Sequence, residues 1–314
     1  MDFNDTPEQA EFRKTCRKWL EDNAKLKSGN QVEDFANIDF LQAGKDWQKK
    51  KYDAGWAMLH WPKEYGGIAA SAIERIIWSE EESKFSVPRG IFEIGLGMCG
   101  PVMMEYASEE QKSRYLPPMA EGSEIWCQLF SEPSAGSDVA GLRSKAVQDG
   151  DKWIINGQKL YTSLAYNADY IWLAARTDTD APGHKGITLF LVDTKDPGFS
   201  IQPFETFGAA DTTATFYDNV RVPDSMRIGE INGGWNLITS QLNHERVSLF
   251  AAGRMIRLVR DAIDWASENL LPDGRRVIDQ EWVQIKLAEC RSLVRYLDLL
   301  NWEVANARSI SVVK

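Results

Sequence analysis

Histidine and cysteine are both scarce in this chain of 314 residues, with three of the first (His60, His184, His244) and four of the second (Cys16, Cys99, Cys127, Cys290). None falls at metal-ligand spacing, so no zinc site is expected, and the scattered cysteines fit a reducing compartment better than a disulfide scaffold. Long apolar runs are missing too, so no transmembrane segment is expected. The opening stretch, "MDFNDTPEQAEFRKTCRKWLEDN", is acidic from its second residue and has no apolar centre, unlike a secretory signal peptide. A soluble, cytoplasmic protein is therefore expected. Basic excess is also absent. The formal net charge is -10, which argues against nucleic acid as the main partner while leaving room for a basic pocket that takes an anionic ligand.

What is present is an ordinary globular composition, 43% hydrophobic and 26% charged, in a chain long enough for two or three domains. Its texture changes twice. From Thr6 to about Ala120 the pattern is helical, opening with Thr6 as N-cap, Pro7 at the first helical position and Glu8 and Glu11 behind them. "WPKEYGG", residues 61 to 67, punctuates this half as a loop. Near Ile125 the runs become short, β-branched and aromatic: "ADYIWLAARTD", "GITLFLVD", "FSIQPFE" and "TATFYDNVRVP". Within "KWIINGQKLYT", Asn156-Gly157 predicts a two-residue hairpin, and "QDGDK" upstream predicts another turn. After "GEINGGWN" the helical texture returns and continues to Lys314, breaking off without a tail, so the natural product is expected to be longer.

Three stretches carry candidate chemistry. "GLGMCG" sets Gly95, Gly97 and Gly100 at dinucleotide-loop spacing, but its flanks read as helix or loop and Pro101 follows, so a nicotinamide-binding βαβ unit is not expected. "SEPSAGSDVAG", residues 131 to 141, offers the hydroxyls of Ser131, Ser134 and Ser137, with Gly136 and Gly141 allowing close backbone approach. It lacks the lysine of a triphosphate loop, and its plainer reading is a polar turn entering the sheet. "NHERVSLFAAG" places Glu245 in the middle of the helical stripe Leu242, Leu249, Ile256, Val259, Ile263, with Arg246 at the edge. A carboxylate on such a face needs hydrogen bonds, water or a ligand, and a structural ion pair answers that as well as a functional site does.

Taken together and in order, "WCQLFSEPSAGSDVAG", "DGDKWIINGQKLYTSLAYNADY" and "YDNVRVPDSMRIGEINGGWNLITSQLNHERVSLFAAG" resemble the acyl-CoA dehydrogenase family, and "WPKEYGG" and "EEQKSRYLPPMAEG" match it as well. The resemblance runs from about residue 6 to the end. It implies an α+β multidomain chain: an N-terminal helical domain (1–124), a middle antiparallel β-barrel-like domain (125–222) and an incomplete C-terminal helical bundle (223–314). It implies FAD as cofactor, an acyl-CoA substrate, an electron-transfer flavoprotein as acceptor, and a homotetramer or homodimer, or a hetero-oligomer.

In such enzymes a glutamate takes the thioester's α-proton while a hydride leaves the β-carbon for flavin N5, giving a trans-2-enoyl-CoA. Glu245, just before Arg246, matches one of the two placements of that base; the other, late in the C-terminal domain, is not in this sequence. The base needs a dry pocket that raises its pKa. By motif position, Gln128, Leu129, Phe130 and Ser131 line the flavin edge, and Tyr161, Thr162 and Ser163 stand where the family usually has Trp-Ile-Thr against the ring. Ser137, Leu242 and Arg246 fall to the acyl-CoA. The usual arginine-plus-glutamine signature for a neighbour's FAD pyrophosphate is not clear in "LLPDGRRVIDQEWVQIKLAE"; Arg275 is the expected substitute, with Arg276 beside it and Glu281 where glutamine is common. That departure points to a divergent bacterial branch with bulky or unusual acyl groups. It also motivates two alternatives: a non-catalytic subunit completing a partner's FAD site, or a flavin monooxygenase or oxidase on the same scaffold.

Overall fold

The structure, a computed structural model, describes residues 4–26, 38–206, 212–248 and 252–311, without the side chains of 245–248 and 307–311. In chain order its elements are α1 (Pro7–Asn23), β1 (Lys25–Leu26), α2 (Ile38–Asp53), α3 (Ala72–Glu82), β2 (Phe85–Ser86), α4 (Gly100–Tyr106) and α5 (Glu109–Glu121). The strands β3 (Trp126–Leu129), β4 (Lys145–Asp149), β5 (Lys152–Lys159), β6 (Tyr170–Arg176), β7 (Ile187–Asp193), β8 (Phe199–Phe204), β9 (Thr212–Pro223) and β10 (Arg227–Ile228) follow. Helices α6 (Gly234–Ser248), α7 (Ala252–Glu268) and α8 (Glu281–Ser311) complete the order helix, sheet, helix. The chain groups into two compact units, one of Met1–Val32, Leu59–Val87 and Leu249–Lys314, the other of Glu33–Met58 and Pro88–Ser248.

The first unit packs α1 on α3 and both α7 and α8 on α3. α1 starts as its sequence predicts: Thr6 accepts from the Gln9 amide, Gln9 answers the Thr6 amide, and Pro7 takes the first helical position. Cys16 and Leu20 of α1 and Ile77 and Trp78 of α3 are buried, with Trp19 and Trp78 5.9 Å apart. Within this apolar contact sits Glu81, its side chain 0% exposed and bonded by Arg17 Nε (3.0 Å), Arg13 (3.1 Å) and Lys84 Nζ (2.7 Å). Burial pushes its carboxyl up, but the bonds from Arg17, Lys84 and Arg13 outweigh that and hold it at about 2.

The second unit is built on an eight-stranded sheet in the order β10-β7-β6-β4-β5-β9-β8, with β3 added alongside β6. The sheet is antiparallel apart from two pairings, β3 with β6 and a one-residue pairing of β4 with β6, which are parallel. One face closes over a core that includes Cys127, Leu129, Trp153, Ile155, Ile171, Leu173, Phe190, Tyr217 and Val220. β4 and β5 turn at Gly150-Asp151, as "QDGDK" predicts, with Asp149 opposite Lys152.

Asn156-Gly157 is not a hairpin turn. β5 runs straight through it, and the pairing with β9 slips there, between Ile155 opposite Val220 and Gly157 opposite Tyr217. The extra residue lies on β9, where Asn219 takes φ 55°, a left-handed conformation asparagine tolerates. Asn156 Oδ1 accepts from the Asn219 amide (2.9 Å), so its turn-forming side chain is spent across the ladder. Gly157 is needed for space, because a Cβ would lie 2.8 Å from Ser144 Cα. The bulge flips the phase of β9: Val222 and Val220 point into the core on one side of it, Tyr217, Thr215 and Thr213 on the other. Of the stripe from Leu242 to Ile263, Leu242 lies on α6 and Ile256, Val259 and Ile263 on α7, while Leu249 lies outside the described residues.

Candidate active site

β3 ends at Leu129, and the chain beyond it meets the end of β5. The Leu160 amide donates to the Ser131 carbonyl at 3.0 Å. Directly beneath, Lys159 is 0% exposed, and its Nζ donates to the Phe130 carbonyl (3.2 Å) and to Glu132 Oε1 (2.8 Å). Glu132 is buried as well and also receives the amides of Arg143 (2.6 Å) and Ser144 (2.9 Å), which ties down the far end of the loop after Ser131. Burial pulls Lys159 down to about 8 against the attraction of Glu132, so it is charged at neutral pH. Burial also opposes the charge on Glu132, but the Lys159 ammonium and the Ser144 amide hold its carboxyl below the ordinary range.

The segment after Lys159 is strained. Tyr161 has φ 62° and Leu164 has φ 67°, a region that bulky side chains avoid at a cost of about 1–2 kcal/mol each. Between them, Thr162 is clamped by Thr213: its amide donates to the Thr213 carbonyl (3.1 Å), and Thr213 Oγ1 donates to the Thr162 carbonyl (2.9 Å). Thr162 Oγ1 is buried without a hydrogen-bond partner among the described residues. Tyr161 is 68% exposed, edge-on to Phe204 at 5.8 Å, and Ser163 is exposed beside it.

The other face of β3 meets α6. Gln241, fully buried on α6, donates through Nε2 to Gln128 Oε1 at 2.6 Å, and its own Oε1 has no partner among the described residues. Gln128 stands opposite Trp172 of β6, whose buried Nε1 is also unpartnered. Leu242, next along α6, is half-buried. Position 245 follows Gln241 by one helical turn; the side chains of Glu245 and Arg246 lie outside the described residues. The nearby thiols of Cys99 and Cys127 are raised by burial and are held as neutral groups, which removes them as nucleophiles.

Of the residues singled out from sequence, Gln128 to Ser131 and Tyr161 to Ser163 are therefore brought together, with Leu129 and Phe130 buried and Ser131 half-buried. Leu242 is carried in through α6 and Gln241. Ser137 is exposed on the loop whose root Glu132 anchors. Arg275 belongs to the other compact unit, exposed and bonded to Asp273 (2.6 Å), with Arg276 bonded to Asp279 (2.7 Å). Sequence reading missed Lys159, Glu132 and Gln241. The signal for Lys159 was available: it continues the alternation Trp153, Ile155, Gly157 on the inward face of β5.

These groups suit a flat, polar-edged aromatic ring such as a flavin. The unsatisfied Thr162 hydroxyl and Gln241 carbonyl, with the exposed ring of Tyr161 next to Thr162 in sequence, offer hydrogen bonds and a stacking surface.

Comparison with known proteins agrees. Profiles described as the N-terminal, middle and C-terminal domains of acyl-CoA dehydrogenase match residues 6–123, 127–220 and 232–310. Acyl-CoA dehydrogenase FadE26 of Mycobacterium tuberculosis is 39% identical over 98% of this chain and 78% of its own length. FadE29 of the same organism is 46% identical over 79% of this chain and 63% of its own. Among solved structures, the Tcur3481-Tcur3483 steroid ACAD is 39% identical with TM-score 0.84, covering 99% of this chain and 79% of that one. The ChsE4-ChsE5 complex from Mycobacterium tuberculosis is 37% identical with TM-score 0.79, covering 98% and 78%.

Proposed function

This chain belongs to the acyl-CoA dehydrogenase family of FAD-dependent oxidoreductases, and from that premise we propose that it dehydrogenates a saturated acyl-CoA thioester to the trans-2-enoyl-CoA. The observation that carries this reading is the Gln241–Gln128 bond, which docks α6 on the flavin-side strand one helical turn before Glu245. Glu245 takes the α-proton onto its carboxylate, and Arg246, Leu242 and Ser137 hold the thioester. The unpartnered Thr162 hydroxyl and the backbone of Phe130 and Ser131 fix the ring edge, and Tyr161 covers its face. FAD, when bound, supplies a hydride acceptor for the β-hydrogen, whose electrons then pass to an electron-transfer flavoprotein. Charge that develops on the thioester oxygen needs aimed donors in a dry pocket.

The three-part division at residues 124 and 222 is kept as part of this proposal. Similarity to the Tcur3481-Tcur3483 steroid ACAD supports a bulky, steroid-type acyl group, and two-component assemblies among the relatives support a hetero-oligomer. Arg275 and Arg276, each bonded to its own neighbour, fit that second reading, in which a partner supplies the pyrophosphate contacts. Anaerobic rapid mixing tests the base: Glu245→Gln should keep flavin and acyl-CoA binding and lose substrate reduction of the flavin by at least about a thousandfold. An unchanged reduction rate would remove Glu245 from the role.

A further inference from the structure

The peptide joining Phe130 to Ser131 has its two ends in very different surroundings. Its carbonyl accepts from the buried Lys159 ammonium at 3.2 Å. Its N–H, on Ser131, makes no hydrogen bond among the described residues. In a trans peptide the carbonyl and N–H point opposite ways, so the bond to Lys159 turns the Ser131 N–H away from the core. A cation on the carbonyl oxygen also polarises the peptide and makes its N–H a stronger donor. Lys159 is held in place by Glu132, which is itself fixed by the amides of Arg143 and Ser144. The cation therefore lies on the side of the peptide and the anion is anchored behind it, at the root of the loop.

We propose that Lys159 is a positioning residue for the cofactor: through the Phe130–Ser131 peptide it sets and strengthens a backbone donor for the bound flavin, and so raises the flavin's reduction potential. This rests on the flavin site proposed above, but not on Glu245 or on any acyl-CoA. Reduced flavin carries more negative charge on its ring than oxidised flavin, and a polarised N–H with a cation behind it favours the electron-rich form. Burial lowers Lys159 to about 8 against the pull of Glu132, which still leaves it charged at neutral pH, as this role requires.

Single removal of Lys159 would strand Glu132 as a buried anion, so the test uses neutral pairs. Lys159→Met/Glu132→Gln removes both charges and the donor to Phe130. Lys159→Gln/Glu132→Gln removes both charges but keeps a neutral donor. The potential of bound FAD is measured by dye equilibration during slow anaerobic reduction, without substrate, and FAD affinity is measured alongside. Both variants should favour oxidised over reduced flavin about tenfold more than the unmodified protein, equivalent to about 30 mV for a two-electron couple. The Gln/Gln pair should restore FAD affinity lost in the Met/Gln pair without restoring the potential, a split that a merely structural lysine would not give. Should the Met/Gln pair not fold, the Gln/Gln pair carries the test alone. A folded, FAD-loaded variant with an unmoved potential overturns this inference and leaves the dehydrogenase reading intact; an unmodified protein that takes up no FAD overturns both.

Discussion

Glu81 and Glu132 are both carboxylates with almost no exposed surface, yet they are held in opposite ways. Glu81 collects three cations from α1 and the end of α3, and two of them, Arg17 and Lys84, are 49% and 38% exposed. Glu132 has one cation, itself fully buried, and takes its remaining bonds from backbone amides. Water can replace part of what Glu81 loses when a partner is removed; at Glu132 it cannot. The first arrangement clamps helices, and the second fixes two loops to within a hydrogen bond of each other beside a candidate cofactor site. A rigid, dry pair costs more to build, and it suits a place where atomic position matters.

The sharpest way to break this contrast is Glu132→Ala, which strands a fully buried ammonium and two amides. It should cost about 4 kcal/mol in chemical denaturation. A loss no larger than that of a surface substitution would mean that water reaches Lys159. Glu81→Ala should cost less, about 2–3 kcal/mol, because Arg17 and Lys84 can turn to solvent; a cost equal to that of Glu132→Ala would erase the distinction.

Acid acts on the Glu81 clamp directly. The carboxyl of Glu81 is at about 2 when folded against 4.5 ordinarily, so its stabilisation is fully present above about pH 4.5 and is lost as pH falls toward 2. Denaturation midpoints between pH 7 and pH 3 should show about 2 kcal/mol of this loss, and Glu81→Gln should flatten it. At the other pair the slope has the same sign but falls in an alkaline window. Folded Lys159 is at about 8 against 10.5, so between those values unfolding takes up a proton, and its contribution to stability improves as pH rises. The smallest effect is expected for Arg17→Ala, at most about 1 kcal/mol, since that side chain is half in water and Arg13 and Lys84 remain on Glu81.

Much of the architecture was legible in sequence because it depends on local pattern. The capped start at Thr6, the turn at Gly150 and the β-branched runs from Tyr170 to Pro223 each carry their own signal. Asn156-Gly157 misled because the same dipeptide that favours a tight turn also serves opposite a bulge, where the left-handed residue is Asn219, on a strand some sixty positions later. The acidic run at Glu80, Glu81 and Glu82 carries no local signal of burial. Only the tertiary approach of Arg13 and Arg17 makes a buried hub of it. At the site, the paired motifs around Ser131 and Thr162 were visible, but the reason they meet was not. It lies in Lys159 and Glu132, which looked like ordinary charged residues of a polar turn and a strand end.

The most direct measurement is an anaerobic visible spectrum of the purified protein before and after a panel of saturated acyl-CoA thioesters, from short fatty to steroid-type. The account predicts a bound flavin whose long-wavelength band bleaches with one class of thioester, bulky acyl groups foremost. A protein that holds no flavin, alone or after FAD is added, or a flavin that no thioester bleaches, would contradict it.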